Sequence, residues 1–277
     1  MKLAFISNLS FLELCSLGDI EMCLAPLVWE GGGPGAGYGR YYKQAAAAGR
    51  FVILDNGAAE GALMSPSDLL DLVDEMRPAE VVAPDIIYDG PATITAVLEF
   101  LQVMGVRRQG KRSQAGVMAV PQGSTRQEYM HCAAALETFP KVTTLGLSKR
   151  STARCFGNDD TPLVIARTRA VDALSRLTAK PLHLLGGDWS LPWEVARYAS
   201  ASPYASAPAV RSNDSSFVYW YSREGVSLTS ETRYLPAGAL HNAPPVDLFA
   251  PVSPEARARA LRNGEVMIQL ARGEVFP

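Results

Sequence analysis

One plan recurs along this chain and restricts its fold more than any other feature: a short β-branched apolar run, a turn carrying glycine or an acid, then an amphipathic stretch that opens with helix-start signals. Such alternation builds a parallel sheet, because parallel neighbours need a long crossover, usually a helix, to return the chain to the same end. Phe51-Val52-Ile53-Leu54 reads as a buried strand, and Ser65-Pro66-Ser67-Asp68 opens the helix behind it. Serine suits the N-cap, proline the first turn, and the acid the positive helix end. Leu69, Leu70, Leu72, Val73 and Met76 supply that helix's apolar face. Glu80 to Ala83 repeats the strand, and Gly90-Pro91 leads into a helix with Ile94, Val97, Leu98 and Leu101 on one side. Gly116 to Val120 precedes a helix over about 125–139. Val142 to Leu147 is followed, after a polar loop, by a helical run over 163–177, and Pro181 to Leu185 by a short helix near 193–198. Adding Met1 to Ile6 or Ile20 to Val28 before these units, and a strand near Val210 after them, approaches eight strands. The expectation is an α/β chain forming a single (β/α)8 TIM-like barrel domain over 1–277, with a doubly wound open sheet as the alternative.

The chain is long enough for one barrel: 277 residues, 48% hydrophobic. A net charge of −2 excludes a strongly basic footprint and leaves room for a local basic patch. Cys15, Cys23, Cys132 and Cys155 lie far apart without ligand spacing, so no zinc site and no zinc subdomain is expected, and reduced thiols point to the cytoplasm. The apolar run at Met1 to Ile6 is too brief for a signal peptide, and no run approaches the roughly 20 residues that span a membrane. Gly31 to Gly39 reads as a loop, with a phosphate cradle as the alternative, and Ala199 to Val210 as a long loop over the barrel mouth. A basic helix over about 253–273, carrying Arg257, Arg259 and Arg262, reads as a solvated face.

In a barrel of this kind chemistry sits on the loops after the strands. The residues there are Asp55-Asn56-Gly57, Pro84-Asp85, Pro121-Gln122-Gly123, Gly146-Leu147-Ser148 and Gly186-Gly187-Asp188. Carboxylates and an amide, with neither histidine nor cysteine among them, argue against a hydrolytic triad and thiol catalysis. They suit either Mg²⁺ binding or nucleophilic and proton-transfer work at a glycosidic bond. His183 within a strand and His131 within a helix read as structural.

Five of these strand ends, in order, resemble motifs of the tRNA-guanine transglycosylase superfamily. Leu54-Asp55-Asn56-Gly57-Ala58-Ala59-Glu60 resembles its Asp-Ser-Gly-Gly-Phe-Gln, and Val82-Ala83-Pro84-Asp85 its Met-Ala-Phe-Asp. Val120-Pro121-Gln122-Gly123-Ser124 is similar to its Val-Gln-Gly-Gly or Gln-Gln-Gly-Ser turn, and Leu145-Gly146-Leu147 to its Gly-Gly-Leu. His183-Leu184-Leu185-Gly186-Gly187 is similar to its Tyr-Leu-Met-Gly-Val-Gly. The resemblance spans Leu54 to Gly187, about half the chain.

The resemblance implies base exchange: an aspartate attacks a nucleotide's C1′, guanine leaves, and a free 7-deazaguanine base (preQ0-type) enters, with no cofactor. Asp55 would be the acid/base near the sugar and Asp85 the partner of the base's N1 and amino edge, with Asn56 beside them. Gln122, Gly146, Leu147 and Gly186 would complete the base site. The nucleophile follows the Leu-Met-Gly motif; Asp188 comes too early, and Asp214, in Asp214-Ser215-Ser216, fits best, with an Asx turn as its bland alternative.

The Asp-Ser-Ser wording, the missing Cys-x-Cys-x-x-Cys and the compact chain resemble the bacteriophage DpdA-type enzymes, so DNA is the expected partner and tRNA the alternative. Localisation would then be the host cell's cytoplasm. Lys149, Arg150, Arg154 and Arg211 are the expected phosphate contacts. Trp189, Tyr219, Trp220 and Tyr221 offer either a stacking wall or packing. Rival readings are a tRNA-acting enzyme, a noncatalytic barrel that binds nucleic acid or a partner, and a Mg²⁺-dependent barrel lyase or hydrolase on Asp55 and Asp85. The oligomeric state is not legible.

Overall fold

The computed structural model describes residues 1–29, 35–107, 115–199, 210–229 and 250–274, and over them the chain forms a (β/α)8 TIM-like barrel. Its strands are β1 (Lys2–Phe5), β2 (Glu21–Leu24), β3 (Val52–Asp55), β4 (Glu80–Val82), β5 (Gly116–Ala119), β6 (Val142–Ser148), β7 (Leu182–Leu185) and β8 (Val210–Ser215). All run parallel, consecutive strands from β2 through β8 are paired, and β8 returns to β1 with Lys2 opposite Ser212 and Phe5 opposite Ser215. Among the described residues no ladder joins β1 to β2, but the Ile20 N–H donates to the Leu3 carbonyl at 3.2 Å and draws the ring nearly shut. Both N-terminal candidates are therefore strands, and the second stops at Leu24 because residues 25–29 turn into a helix.

The helices are α1 (Glu13–Ser16), α2 (Ala25–Trp29), α3 (Gly35–Ala47), α4 (Pro66–Met76), α5 (Gly90–Arg107), α6 (Arg126–Glu137), α7 (Lys149–Phe156), α8 (Leu163–Leu174), α9 (Leu191–Arg197), α10 (Phe217–Arg223) and α11 (Pro254–Arg272). Helix α4 starts as its sequence requires, with Ser65 Oγ accepting from the Asp68 N–H at 3.1 Å.

Two expected loops are helical. Residues 31–34 of the glycine-dense stretch lie outside the described residues, but α3 begins at Gly35 and runs through Gly37 and Gly39. Its buried Tyr38 and Tyr42 explain why: packing outweighs the poor helix propensity of glycine, and the Tyr38 hydroxyl accepts from the Leu24 N–H at 2.8 Å, tying α3 to the end of β2. The polar stretch after β6 is α7, capped by Ser148 and held by buried Thr152, Cys155 and Phe156. Residues 200–209, expected as a loop over the mouth, lie outside the described residues. Helix α11 is only half solvated: Ala260, Met267 and Leu270 are buried, Arg259 donates to the Ser222 carbonyl at 2.6 Å, and Arg257 covers the Phe11 ring.

The barrel interior is filled, not hollow. Ala4, Ile20, Met22, Ile53, Val82, Met118 and Val120 pack together inside it. At the N-terminal end of the strands Arg211 pairs with buried Glu80 at 2.6 Å and donates to Thr144 Oγ1 at 3.1 Å. Register slips between β7 and β8, where Leu182 faces Val210 but His183 faces Ser212. Arg211 is the extra residue, and this irregularity lets Arg211 bond to Glu80 while Ser212 bonds to His183.

Candidate active site

A cavity of about 630 Å³ opens at the C-terminal ends of the strands. Asp55, Glu60, Asp85 and Asp214 line it together with Lys149 and Arg150, over an apolar bed that includes Met22, Val82 and Val120. That volume suits a ligand of nucleoside size or somewhat larger.

Asp214 sits near the end of β8 and is 4% exposed. It does not form the Asx turn its neighbours suggest. Its Oδ1 meets His183 Nε2 at 3.0 Å and accepts from the Gly186 N–H at 3.1 Å, whereas no hydrogen bond among the described residues falls on Oδ2. Gly186 has φ +69°, a left-handed conformation that glycine adopts without steric cost. His183, expected to be merely structural, is fully buried next to Asp214, so the acidic set does include a histidine. A His–Asp contact across two strands leaves no local sequence signal.

Asp55 closes β3, and its Oδ2 accepts from the Gly57 N–H at 3.2 Å. Burial pushes its carboxyl well above the usual range, and the nearby charges of Glu60 and Asp214 push the same way. Glu60 ends the short 3-10 turn Ala58–Glu60 and was not singled out from the sequence, although it lies in the Asp55 motif. It too is raised, mainly by desolvation and then by Asp214, against a backbone hydrogen bond and the opposing charge of Arg150.

Asp85 is clamped between two amides. Asn56 Nδ2 donates to its Oδ1 at 2.8 Å and Gln122 Nε2 to its Oδ2 at 2.6 Å. The amide orientations follow from their other ends: Asn56 Oδ1 accepts from the Ala58 N–H at 2.8 Å, and Gln122 Oε1 from the Tyr88 N–H at 3.2 Å. Burial raises Asp85 to about 6 despite both donors.

Several expected base-site residues do not reach the cavity. Gln122 is fully buried and works through Asp85; Leu147 packs in the core outside the strands. Gly146 lies where a Cβ would come within 2.8 Å of Leu185 and 3.0 Å of Met118, so it is a close-packing position. Asn56 and Gly186 do line the cavity. Asp188 Oδ1 is taken by Ser190, at 2.7 Å from its N–H and 2.6 Å from its hydroxyl, and Asp188 is not on the wall.

The basic residues separate in the same way. Lys149 and Arg150 open α7 at the cavity; Lys149 Nζ donates to the Gly187 carbonyl at 3.1 Å. Arg154 lies outside the cavity, over the Tyr88 ring at 4.7 Å. Arg211, expected on the rim, is at the opposite end of the barrel, held by Glu80, because it begins β8 instead of ending it. Of the aromatic group, Trp220 with Phe217 lines the cavity, while Trp189, Tyr219 and Tyr221 are core.

One structural pair escaped the sequence reading altogether. Arg167 of α8 and Glu194 of α9 meet at 2.8 Å with side chains 0% and 1% exposed. Arg167 also donates to the Leu147 and Leu185 carbonyls, and Glu194 Oε2 accepts from Asn213 Nδ2 at 3.3 Å. The pair thus ties the ends of β6, β7 and β8 behind the cavity. Burial lifts Glu194 to about 7, against the pull of Arg167.

Fold and site together define a (β/α)8 barrel with a carboxylate-lined mouth. No family model and no curated protein matches the chain. Among the described residues no group of three His, Cys, Asp or Glu side chains is arranged to hold a metal ion, the four cysteines are free and buried, and no helix is long and apolar enough to cross a membrane.

Proposed function

We propose that this chain is a pentosyltransferase that exchanges guanine in DNA for a 7-deazaguanine base through a covalent aspartyl–sugar intermediate. The observation that carries the reading is the asymmetry of Asp214: among the described residues both of its hydrogen bonds fall on Oδ1, leaving Oδ2 as the nucleophile. Oδ2 attacks C1′, the C1′–N9 bond breaks, and the departing guanine takes its proton from Asp55, whose raised carboxyl suits a general acid. In the second half Asp55 takes the ring N–H proton of the incoming base, that nitrogen attacks C1′, and the ester to Asp214 breaks. Asp85 accepts from the base's N1 and amino edge, since both amide neighbours turn donors toward it and an acceptor edge there would meet a lone pair.

Arg150 and Lys149, at the cavity edge, suit the phosphates flanking an extruded nucleotide, and Trp220 with Phe217 suits a stacked base or sugar face. The preference for DNA rests on the Asp214-Ser215-Ser216 wording. The test is an exchange assay with labelled guanine or 7-deazaguanine, offered duplex DNA, single-stranded DNA and tRNA in parallel, with and without EDTA. Label is expected in DNA in both conditions. Label in tRNA alone would move the substrate to tRNA; loss with EDTA would favour a metal-dependent barrel; and no label anywhere would count against base exchange.

A further inference from the structure

A chain of hydrogen bonds runs up the barrel from its N-terminal end to Asp214. Glu80 pairs with Arg211, Arg211 Nε donates to Ser212 Oγ at 3.1 Å, Ser212 Oγ meets His183 Nδ1 at 2.7 Å, and His183 Nε2 meets Asp214 Oδ1 at 3.0 Å. Ser212 and His183 are fully buried. We infer that Arg211 and Ser212 fix the tautomer of His183, making it a positioning residue that holds Asp214 through a neutral Nε2–H donor.

The proton positions follow link by link. A guanidinium Nε always carries hydrogen, so Ser212 Oγ is the acceptor of that bond. The hydroxyl then has one proton to place, and among the described residues its only other partner is His183 Nδ1. Were Nδ1 protonated, a buried hydroxyl hydrogen would be left without an acceptor. Nδ1 therefore accepts, and a neutral imidazole must carry its hydrogen on Nε2, facing Asp214. Arg211 is itself balanced by Glu80 and so contributes orientation more than charge.

The consequence for Asp214 rests on the transfer reading above. A neutral donor on Oδ1 fixes the carboxylate while leaving its negative charge for Oδ2, whereas an imidazolium would draw that charge away from C1′. Arg211 thus acts at the far end of the barrel from the phosphate role expected of it.

The decisive measurement is the imidazole ¹⁵N–¹H correlation spectrum of the intact chain near neutral pH, with His183 assigned from His183→Gln. The chain has only three histidines, which makes that assignment direct. A single neutral Nε2–H form is expected; an Nδ1–H form or an imidazolium would overturn the inference. In the kinetic arm, Ser212→Ala is expected to lower single-turnover adduct formation roughly tenfold to a hundredfold, with nucleic-acid affinity unchanged. An unaltered rate would overturn the positioning role. If the wild-type chain forms no adduct at all, the transfer reading fails, and the spectrum alone decides the tautomer.

Discussion

Arg167 and Glu194 form a 2.8 Å ion pair that is almost wholly removed from solvent, and between them they hold the ends of three adjacent strands. Buried pairs of this kind stabilise little over an apolar replacement, but breaking this one leaves Glu194 buried without its cation, so that it must take up a proton or carry an unpaired charge. Arg167→Met is therefore expected to cost about 3–5 kcal/mol in urea unfolding. Arg167→Met with Glu194→Met should recover part of that loss, though not all, since the Leu147 and Leu185 carbonyls still lose the guanidinium donor. A single-mutant loss below about 1 kcal/mol, the range of an exposed pair, would contradict this account.

Asp85 gives stability and activity opposite pH dependences. Its carboxyl titrates at about 6 in the folded chain, against roughly 3.9 in an unfolded one. Between those values the folded state holds more protons, so its contribution to stability grows as pH falls from about 6 toward 4 and fades as pH rises through 6. Base binding runs the other way, because a protonated carboxyl no longer offers an acceptor pair. KM for the free base should rise below pH 6, and Asp85→Asn should flatten that rise while removing part of the stability slope. A KM independent of pH in the wild-type chain would argue that the base binds elsewhere.

Gly186 separates conformational cost from packing. At φ +69° an added Cβ meets nothing closer than 3.7 Å, so Gly186→Ala should lose only about 1–2 kcal/mol in thermal or urea unfolding. Its N–H donates to Asp214 Oδ1, so exchange should fall further, by roughly tenfold or more. Wild-type activity in the alanine variant would remove Gly186 from the site.

The two arginines expected to contact phosphate should now differ. Arg150→Ala is expected to weaken DNA binding and reduce the dependence of log K on log salt by about 1. Arg211→Ala should leave that slope unchanged, since Arg211 is held by Glu80 at the other end of the barrel. Equal slope changes in titrations from low to moderate salt would contradict this assignment.

What was legible in the sequence followed local periodicity. Phe51 to Leu54 and Glu80 to Ala83 announce strands because β-branched runs stop at glycine, proline or an acid, and Ser65-Pro66-Ser67-Asp68 announces α4 through its cap. Asp55, Asp85 and Asp214 were visible as strand-end acids, and all three line one cavity. What stayed hidden depends on contacts across strands or on packing. The partners of Asp214 come from β7 and the turn after it, Arg167 looks like any arginine in an amphipathic run, and glycine-rich α3 is helical because two tyrosines bury. Arg211 was misplaced because a one-residue register slip and its position at the start of a strand decide which mouth it faces.

The most direct measurement of the central claim is mapping of the covalent intermediate. The chain would be incubated with a guanine-containing oligonucleotide without incoming base, denatured, digested and read by mass spectrometry. The sugar ester is expected on the peptide holding Asp214 and should disappear in Asp214→Asn. An adduct undiminished in that variant, or carried by Asp55 or Glu60, would contradict the assignment of Asp214 as nucleophile.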